Sequence, residues 1–489
     1  MSEVSHFDLA VIGGGINGAG IARDAALSGL KVLILDKNDF AYGSSSRSTK
    51  LVHGGIRYLE NREFGLVWEA CHERKILTKI APHLVRIIPF VIPVYEGDKR
   101  PLWMIRLGMF LYDAMAGFKN IKRHKGLSVK KILERIPGLK QEGLKGGGIY
   151  YDCQTDDARL TLVNIQDVVR HGGTAKNYTK VLSLEENENG ILLNCEDTVT
   201  KGKAAYTAVN VVNATGPWLD ENLQNWGVSS TKNLRLTKGV HFFIPNIGKE
   251  NALLVSSAKD NRVFFIVPYG DLSLVGTTDT DYKGSLDHVV ATQEDVEYLL
   301  NELRRLFPDT EVSIKDIKGV YAGLRPLLHE EGVKEGKVSR EYTLKEDKIG
   351  SATLLSVIGG KLTTYRSLSK KVIDKLAPLS KKEVNPCKTY KIPLPGSQYK
   401  ERTFEEFELK TLESPEFKDL PADIAQNLVR TYGSDVKKVV PYLASEEGRT
   451  RILSGKPYVW GQCMYGMEHE FIRAKEDFTR RRTDLYIYS

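Results

Sequence analysis

The feature that most constrains the fold is a glycine cluster near the N-terminus that separates an apolar run from a helical pattern. Residues 7–12 are mostly apolar and are followed directly by Gly13-Gly14-Gly15-Ile16-Asn17-Gly18, which satisfies G-x-G-x-x-G. An alanine-rich stretch continues to residue 28, and residues 31–35 form a second apolar run. This order predicts a strand, a helix and a second strand, the βαβ unit that opens an α/β domain.

The same cluster is a candidate binding site for a dinucleotide. Its glycines permit a tight turn in which backbone N–H groups approach a pyrophosphate at a helix N-terminus. Asp36 follows the second apolar run, where an acidic side chain suits the adenosine ribose hydroxyls. The expected contacts in this part of the chain are Gly13, Gly15, Asn17, Gly18, Asp36 and Lys37. The motif alone leaves FAD and NAD both open.

The rest of the chain predicts several domains, because 489 residues exceed what one hydrophobic core usually serves. Strand-like runs at 208–212 and 354–358 end in glycine turns, whereas 241–244, 263–267 and 272–276 are typical of antiparallel strands. We expect a dinucleotide-binding domain in three parts (1–85, 151–224, 319–385), a substrate domain in two parts (86–150, 225–318), and a C-terminal domain (386–489) with helical segments at 403–412, 422–432 and 468–482.

Composition narrows the class of protein. Hydrophobic residues make up 41% and charged residues 27%, and no charge-free apolar run of membrane-spanning length occurs, so no spanning helix is expected. The five cysteines are scattered and form no C-x-x-C pair, so neither a metal site nor dithiol chemistry is expected. The net charge of +8 is concentrated in 98–131 and 366–391. Such segments suit anionic lipid, a phosphorylated substrate or nucleic acid, or are simply solvated.

Four motifs in order along the chain make a more specific pattern. Residues 44–60 place hydroxyls, glycines and cations in one short loop, and 213–218, 323–327 and 359–366 each contain a glycine turn. Together they resemble the FAD-dependent glycerol-3-phosphate dehydrogenases over residues 8 to 380, and more loosely through the C-terminal helices. The resemblance implies FAD and an α/β fold of the glutathione-reductase and D-amino-acid-oxidase type, with an inserted antiparallel-sheet substrate domain and a C-terminal helical domain.

The resemblance also assigns residues to the cofactor and to the substrate. Further FAD contacts are expected at Ser45, Ser46, Ser48, Lys50, Leu51, Ala214, Gly216, Gly359, Lys361, Leu362 and Thr363. The expected substrate contacts are His53, Arg57, Tyr58, Arg325 and Arg340. Arginine suits this task because its planar guanidinium donates two hydrogen bonds to phosphate oxygens and stays charged.

Oxidation of the C2 hydroxyl of glycerol 3-phosphate also requires a base and an electron acceptor. His241 and His53 are the candidate bases, with His241 favoured by the resemblance, although a histidine that opens a strand is often only a hydrogen-bonded core residue. Lys361 is the candidate to stabilise negative charge on the reduced flavin. The catalytic set is therefore His241, Arg325 and Lys361.

The resemblance further implies that the electrons pass to a membrane quinone. The protein would be cytoplasmic and bound peripherally to the inner face of the cytoplasmic membrane. A homodimer is compatible with the sequence, and no nucleic-acid partner is expected. An apolar stripe in the first basic segment is interpreted either as a membrane-contacting edge or as core, and comprises Trp103, Ile105, Leu107, Met109 and Phe110.

Three other functions fit parts of this pattern. A glycerol-3-phosphate oxidase would pass the electrons to dioxygen and form hydrogen peroxide, but no long polar insertion stands between Pro268 and Arg325. An amino-acid or amine oxidase of the same fold would need one arginine for a carboxylate, whereas three arginines and Lys361 favour a phosphate. A flavin-holding scaffold or nucleic-acid partner would use the basic surface alone.

Overall fold

The computed structural model describes residues 4–60, 62–117, 121–329 and 341–488. Eighteen strands are present in these ranges. In chain order they are β1 (Ser5–Ile12), β2 (Val32–Leu35), β3 (Leu51–Val52), β4 (Arg86–Tyr95), β5 (Lys125–Leu127), β6 (Leu144–Gln154), β7 (Thr174–Lys176), β8 (Thr179–Asn187), β9 (Gly190–Asp197), β10 (Lys203–Asn213), β11 (Leu234–Pro245), β12 (Ala252–Ser256), β13 (Val263–Tyr269), β14 (Leu272–Gly276), β15 (Thr280–Asp281), β16 (Gly319–Leu328), β17 (Thr343–Ile349) and β18 (Ala352–Ile358).

The α-helices of the described residues lie between and after these strands. In chain order they are α1 (Ile16–Leu27), α2 (Phe64–Ile80), α3 (Leu102–Met115), α4 (Val129–Arg135), α5 (Asp157–Arg170), α6 (Leu219–Asn225), α7 (Gln293–Leu306), α8 (Tyr365–Leu376), α9 (Phe404–Leu412), α10 (Ala422–Tyr432), α11 (Glu446–Arg449), α12 (Trp460–His469) and α13 (Lys475–Asp477). Short helical turns at Ser44–Ser46, Ile56–Leu59 and Leu362–Thr364 carry several of the expected site residues.

The first sheet has the order β17-β18-β10-β1-β2-β7, with β9 also pairing β10 and β8 pairing β9. β18, β10, β1, β2 and β7 run parallel, as the apolar runs of the sequence predict. α1, α5 and α8 pack on one face of this sheet, while β8, β9 and α6 cover the other. Every residue of β2 is buried for this reason, and the predicted α/β class is confirmed.

The second sheet is almost entirely antiparallel and has the order β15-β11-β14-β13-β12-β4-β6-β3. β16 pairs with β11 and β5 pairs with β6, while only β12 and β4 run parallel. α4 and α7 cover one face, and α2 and α3 cover the other. This is the inserted antiparallel sheet that the alternating apolar residues predict.

Two strands cross the domain boundaries expected from the sequence. β16 was assigned to the dinucleotide-binding part that starts at residue 319, but it pairs with β11 of the second sheet along its whole length. β6 continues past residue 150 because its last residues pair with β3 and β4. The physical reason is strand pairing between distant segments, which the local pattern of each segment does not specify.

The C-terminal helices agree with the expectation at α9 and α10 but not at 468–482. One helix over 468–482 is wrong, because α12 ends at His469 and Phe471 has a positive φ of 61°. Four charged residues of this segment, Glu470, Asp477, Arg481 and Arg482, are buried in ion pairs. Glu470 pairs with Arg159. Arg481 and Arg482 both pair with Asp39, which follows β2. These contacts attach the C-terminal segment to the first sheet.

No helix in the described part of the chain is long and apolar enough to cross a bilayer. All five cysteines are free thiols.

Candidate active site

A cavity of about 560 Å³ lies where the two sheets meet. It extends from the N-terminus of α1 to β11 and β16 of the second sheet. The expected site residues that line it are Gly13, Gly15, Asn17, Asp36, Lys37, Ser45, Ser48, Leu51, His53, Arg57, Tyr58, Ala214, Gly216, His241, Arg325, Gly359, Lys361, Leu362 and Thr363. Residues from seven separate segments of the chain therefore share one site.

Three expected residues do not line this cavity, and a fourth, Arg340, lies outside the described residues. A Cβ on Gly18 would lie 1.9 Å from the Gly13 carbonyl oxygen, so this glycine serves the close packing of α1 on the turn. The Ser46 hydroxyl lies 3.5 Å from the carbonyl oxygens of Tyr42 and Gly43. The side chain of Lys50 is buried outside the cavity lining.

The buried side chain of Lys50 forms an ion pair with Asp157. Its Nζ lies 2.6 Å from Asp157 Oδ1, and the two side chains are 4% and 0% exposed. A buried ammonium requires a charged partner, and Asp157 in the first turn of α5 supplies it. Lys50 thus has a structural partner away from the cavity, in contrast to the cofactor contact that we expected.

The glycine turn has the geometry that a dinucleotide requires. Gly13 has a φ of 110°, a conformation that side chains disfavour, and a Cβ on Gly14 would lie 2.3 Å from the Phe40 ring. The Asp36 carboxylate accepts hydrogen bonds from the backbone N–H groups of Gly14 at 2.7 Å and Asn38 at 2.8 Å. The first turn of α1 contains no acidic residue, so its N-terminus presents positive partial charge to the cavity.

The protonation state of Asp36 is set by its burial. Desolvation raises the pKa of this carboxyl to about 6, against the opposing effect of the two backbone hydrogen bonds. The carboxylate that would accept hydrogen bonds from ribose hydroxyls is therefore the dominant form only above that pH.

We expect the affinity of the apoprotein for FAD to rise as the pH increases from about 5 to about 7, because Asp36 loses its proton in this interval. Titration of apoprotein with FAD, followed by quenching of flavin fluorescence, measures the dissociation constant at each pH. Asp36→Asn should bind FAD more weakly at neutral pH and lose most of this dependence. An unaltered pH profile in the variant would exclude Asp36 as its cause.

Arg325 lies on β16 at the second-sheet end of the cavity and is held in place by three neighbours. Its Nη2 donates to Thr277 Oγ1 at 2.8 Å, and its Nη1 lies 3.1 Å from Asp279 Oδ1. The backbone carbonyl of Thr278 accepts from both nitrogens at 3.3 Å. A Cβ on Gly239 of β11 would lie 2.3 Å from Arg325 Nη2, so a larger residue there would displace the guanidinium. The guanidinium is consequently fixed before any ligand binds.

His241 lies at the centre of β11 and is 2% exposed. Its ring stacks on Tyr321 with centroids 5.0 Å apart, and its Nε2 lies 2.9 Å from Thr49 Oγ1. Burial, followed by the positive charges of Arg325 and Lys50, lowers the pKa of His241 well below its usual value. The imidazole is thus neutral around pH 7, which is the form that accepts a proton.

The cavity wall beside α2 is formed by His53, Tyr58 and Lys361. Burial lowers the pKa of His53 to about 4, and its backbone N–H donates to Thr363 Oγ1 at 3.1 Å. Lys361 Nζ lies 3.8 Å from the centroid of the Tyr58 ring, and the Arg57 guanidinium lies 5.5 Å from the same ring. Two cations therefore flank one aromatic ring at the cavity surface.

Several residues that shape the site were not found from the sequence. Thr277 and Asp279 orient Arg325, Thr49 contacts His241, and Asp287 of the second domain accepts hydrogen bonds from Lys37 and Trp218. The run Gly276-Thr277-Thr278-Asp279 offered a signal, since small polar residues follow a strand end there. The contacts of Thr49 and Asp287 join segments far apart in sequence and offered none.

Comparison with known proteins gives matches over nearly the whole chain. A family model described as FAD dependent oxidoreductase matches residues 8–366, and the model of the C-terminal domain of alpha-glycerophosphate oxidase matches 387–489. Glycerol-3-phosphate dehydrogenase of Synechocystis sp. is 36% identical, over 98% of this chain and 89% of its own length. D-erythritol 1-phosphate dehydrogenase of Brucella abortus is 37% identical, over 100% of this chain and 96% of its own length.

Solved structures agree with these relatives. The glycerol-3-phosphate dehydrogenase from Bacillus halodurans, complexed with FAD, superposes with a TM-score of 0.79 at 32% identity, covering 99% of this chain and 87% of that chain. L-alpha-glycerophosphate oxidase from Mycoplasma pneumoniae, with FAD bound, shares the fold with a TM-score of 0.61 at 14% identity, covering 80% of this chain and 98% of that chain.

The geometry of the cavity fits FAD. The glycine turn and the acid-free N-terminus of α1 suit a pyrophosphate, Asp36 suits a ribose, and the cavity continues past Ser45 to the second sheet, where the ring system of a flavin would meet the substrate residues. Fold, cavity and the matches over both parts of the chain agree. The chain belongs to the FAD-dependent glycerol-3-phosphate dehydrogenase and oxidase family, and its cofactor is FAD.

Proposed function

We propose that the protein oxidises sn-glycerol 3-phosphate at its C2 hydroxyl to dihydroxyacetone phosphate and passes the electrons to a membrane quinone. The observation that carries this proposal is that Arg57, Arg325, His241 and Lys361 line the same cavity as the glycine turn. The 36% identity to a glycerol-3-phosphate dehydrogenase over 98% of the chain supports the choice of substrate. Bound FAD supplies the acceptor for the hydride that leaves C2.

Arginines would anchor the phosphate of the substrate. Arg325 offers a guanidinium whose direction is set by Thr277 and Asp279, and preorganisation of this kind favours binding in one orientation. Arg57 adds a second positive charge from the helical turn at Ile56–Leu59. Held at its phosphate, the substrate would present the C2 hydroxyl to the histidines of the cavity wall.

His241 would accept the proton of the C2 hydroxyl. Its pKa is lower than that of the near-neutral base expected from the sequence, since burial and two cations disfavour the imidazolium. A bound phosphate dianion reduces this cost by adding negative charge near Arg325. Lys361 would stabilise negative charge on the reduced cofactor, whose discharge then completes the turnover.

A second substrate deserves comparison, namely D-erythritol 1-phosphate. The Brucella abortus dehydrogenase named for this compound aligns over 96% of its own length, compared with 89% for the Synechocystis dehydrogenase and 86% for the aerobic glycerol-3-phosphate dehydrogenase of Staphylococcus aureus. Both compounds are polyol phosphates with a secondary hydroxyl next to the phosphorylated carbon, so the same anchor and base would serve either.

Anaerobic bleaching of the visible flavin band tests both substrates. Glycerol 3-phosphate should bleach the band faster than D-erythritol 1-phosphate at equal concentration, and the reverse order would assign the protein to the second substrate. A band that persists with both compounds would overturn the proposed activity and leave the cofactor assignment intact. Rapid reoxidation by a soluble quinone and slow reoxidation by air are expected, whereas fast reoxidation by air with formation of hydrogen peroxide identifies an oxidase.

Attachment to the cytoplasmic face of the membrane would involve α3. Trp103, Leu107 and Phe110 lie on one side of this helix and are 67%, 49% and 50% exposed, as the expected apolar edge requires. Ile105 and Met109 were wrongly included in that edge. They lie on the opposite side of the helix, where Met109 is fully buried and Ile105 packs against the core, while Met104 and Leu111 are exposed in their place.

Several basic residues lie on α3 and in the segment that follows it. Arg106 on α3 and the neighbouring Lys122, Arg123 and Lys125 are exposed. A helix that presents large apolar side chains beside cations is suited to the interface of an anionic bilayer. The face would bring the protein to the quinone pool without a spanning segment.

Replacing both Trp103 and Phe110 by Glu should lower binding to anionic phospholipid vesicles by about tenfold or more. The reason is that two aromatic side chains that would enter the bilayer are replaced by charges that anionic lipid repels. Co-sedimentation with the vesicles measures the bound fraction. Leu409→Glu is the matched control, since Leu409 is 63% exposed on the C-terminal domain. Equal binding of all three proteins would exclude α3 as the membrane contact.

A further inference from the structure

Thr49 is the direct hydrogen-bond partner of His241, and it has no role in the function described so far. We infer that Thr49 fixes the orientation and the tautomer of His241, so that the imidazole carries its proton on Nε2 and its lone pair on Nδ1. This inference rests on the proposed role of His241 as proton acceptor. It makes Thr49 a positioning residue that acts through the histidine.

The His241 ring is restricted on three sides. Tyr321 stacks on one face with an interplanar angle of 19°, and a Cβ on Gly276 would lie 2.2 Å from His241 Cδ2. Thr49 Oγ1 contacts the ring edge at Nε2, 2.9 Å away. The ring therefore cannot turn over without losing the hydrogen bond, and its two nitrogens keep different surroundings.

The surroundings of the two nitrogens favour one tautomer. Within the described residues, Nδ1 is buried and has no hydrogen-bond partner. A buried N–H without a partner is rarer and costlier than a buried acceptor without one. The proton therefore belongs on Nε2, where it is donated to Thr49 Oγ1, and Nδ1 carries the lone pair. A neutral imidazole in this tautomer has a single site that can accept a proton.

Thr49 is itself held in place by the buried ion pair below it. Asp157 Oδ2 accepts from the Ser48 backbone N–H at 3.1 Å and from Ser48 Oγ at 2.7 Å, while Asp157 Oδ1 lies 2.6 Å from Lys50 Nζ. Lys50 has a positive φ of 56°, an uncommon conformation that these contacts stabilise. Both neighbours of Thr49 are thus attached to one carboxylate.

Tyr321 connects the same loop to the ring. Its hydroxyl donates to the backbone carbonyl of Ser48 at 2.6 Å, while its ring stacks on His241. The loop therefore fixes His241 twice, through the Thr49 hydroxyl and through the stacked tyrosine. Orientation of a catalytic base by a neighbouring hydrogen bond is a general device, and loss of such a partner reduces rates substantially.

The experiment compares holoenzyme with Thr49→Val, which keeps the shape but removes the hydroxyl, and Thr49→Ser, which keeps the hydroxyl. Thr49→Val should retain FAD and slow anaerobic flavin reduction by glycerol 3-phosphate on the order of tenfold to a hundredfold, with little change in KM. Thr49→Ser should restore most of the rate. Equal rates in the wild type and Thr49→Val would overturn the inference.

Nitrogen NMR of holoenzyme labelled at histidine gives a second readout that does not depend on turnover. His241→Asn identifies the resonances of His241 by their loss. The wild type should show an unprotonated Nδ1 and a protonated Nε2, and Thr49→Val should show a mixture of tautomers. A protonated Nδ1 in the wild type would overturn the inference even if Thr49→Val does not fold. A normal reduction rate in His241→Asn would instead overturn the proposed proton acceptor.

Discussion

Replacing His241 by Ala should slow reduction of the bound flavin by glycerol 3-phosphate by about two orders of magnitude or more, while FAD remains bound. The reason is that the C2 hydroxyl must lose a proton as the hydride leaves, and His241 is the neutral imidazole beside Arg325. Stopped-flow recording of the flavin band without oxygen measures this step directly. Substrate affinity should change little, because the proposed phosphate contacts, Arg57 and Arg325, are separate residues.

His53→Ala is the matched control for this prediction. His53 also lines the cavity as a buried, neutral histidine, with a pKa of about 4. The control should retain most of the reduction rate, since its loss leaves the His241 ring and its partners in place. If His53→Ala is the slow variant and His241→Ala is not, the proton acceptor is His53 and the resemblance assigned the wrong histidine.

Local sequence was sufficient for the first βαβ unit and for the cofactor class. The run at 7–12, the glycine turn and Asp36 are consecutive in the chain, and β1, α1 and β2 form as that pattern predicts. Periodicity in the sequence also located three strands of the antiparallel sheet, namely part of β11, β13 and β14, because alternation of buried and exposed side chains is a property of each strand by itself. Features of this kind need no knowledge of distant partners.

Contacts between segments far apart in the chain could not be predicted from local sequence. Lys50 was expected at the cofactor, yet it pairs with Asp157, more than a hundred residues along the chain. β16 joined the second sheet because β11 offers it a continuous edge. Arg481 and Arg482, expected in a helix, pair with Asp39 in the segment after β2. In the two charged pairs, tertiary burial overrides the local preference, because a buried charge must find its partner wherever the fold provides one.

Replacing Arg325 by Met should lower kcat/KM for glycerol 3-phosphate on the order of a hundredfold or more, because a charge-assisted contact to the phosphate contributes several kcal/mol. The side chain of Met has a comparable length but no charge. Asp279 would lose an ion-pair partner in this variant, since its carboxylate lies 3.1 Å from Arg325 Nη1. Some of the loss would therefore come from removing one charged partner of this carboxylate.

A double variant separates these two effects. Arg325→Met with Asp279→Asn removes both charges, so any activity that it recovers over Arg325→Met measures the cost of leaving the Asp279 carboxylate without Arg325. Arg325→Lys keeps the charge but loses the planar pair of donors, and it should fall between the wild type and Arg325→Met. The decisive comparison is between glycerol 3-phosphate and unphosphorylated glycerol at high concentration. If Arg325 binds the phosphate, the variants lose the preference for the phosphorylated substrate, whereas an equal loss with both compounds would mean that Arg325 acts on the site as a whole through its contacts with Thr277 and Asp279.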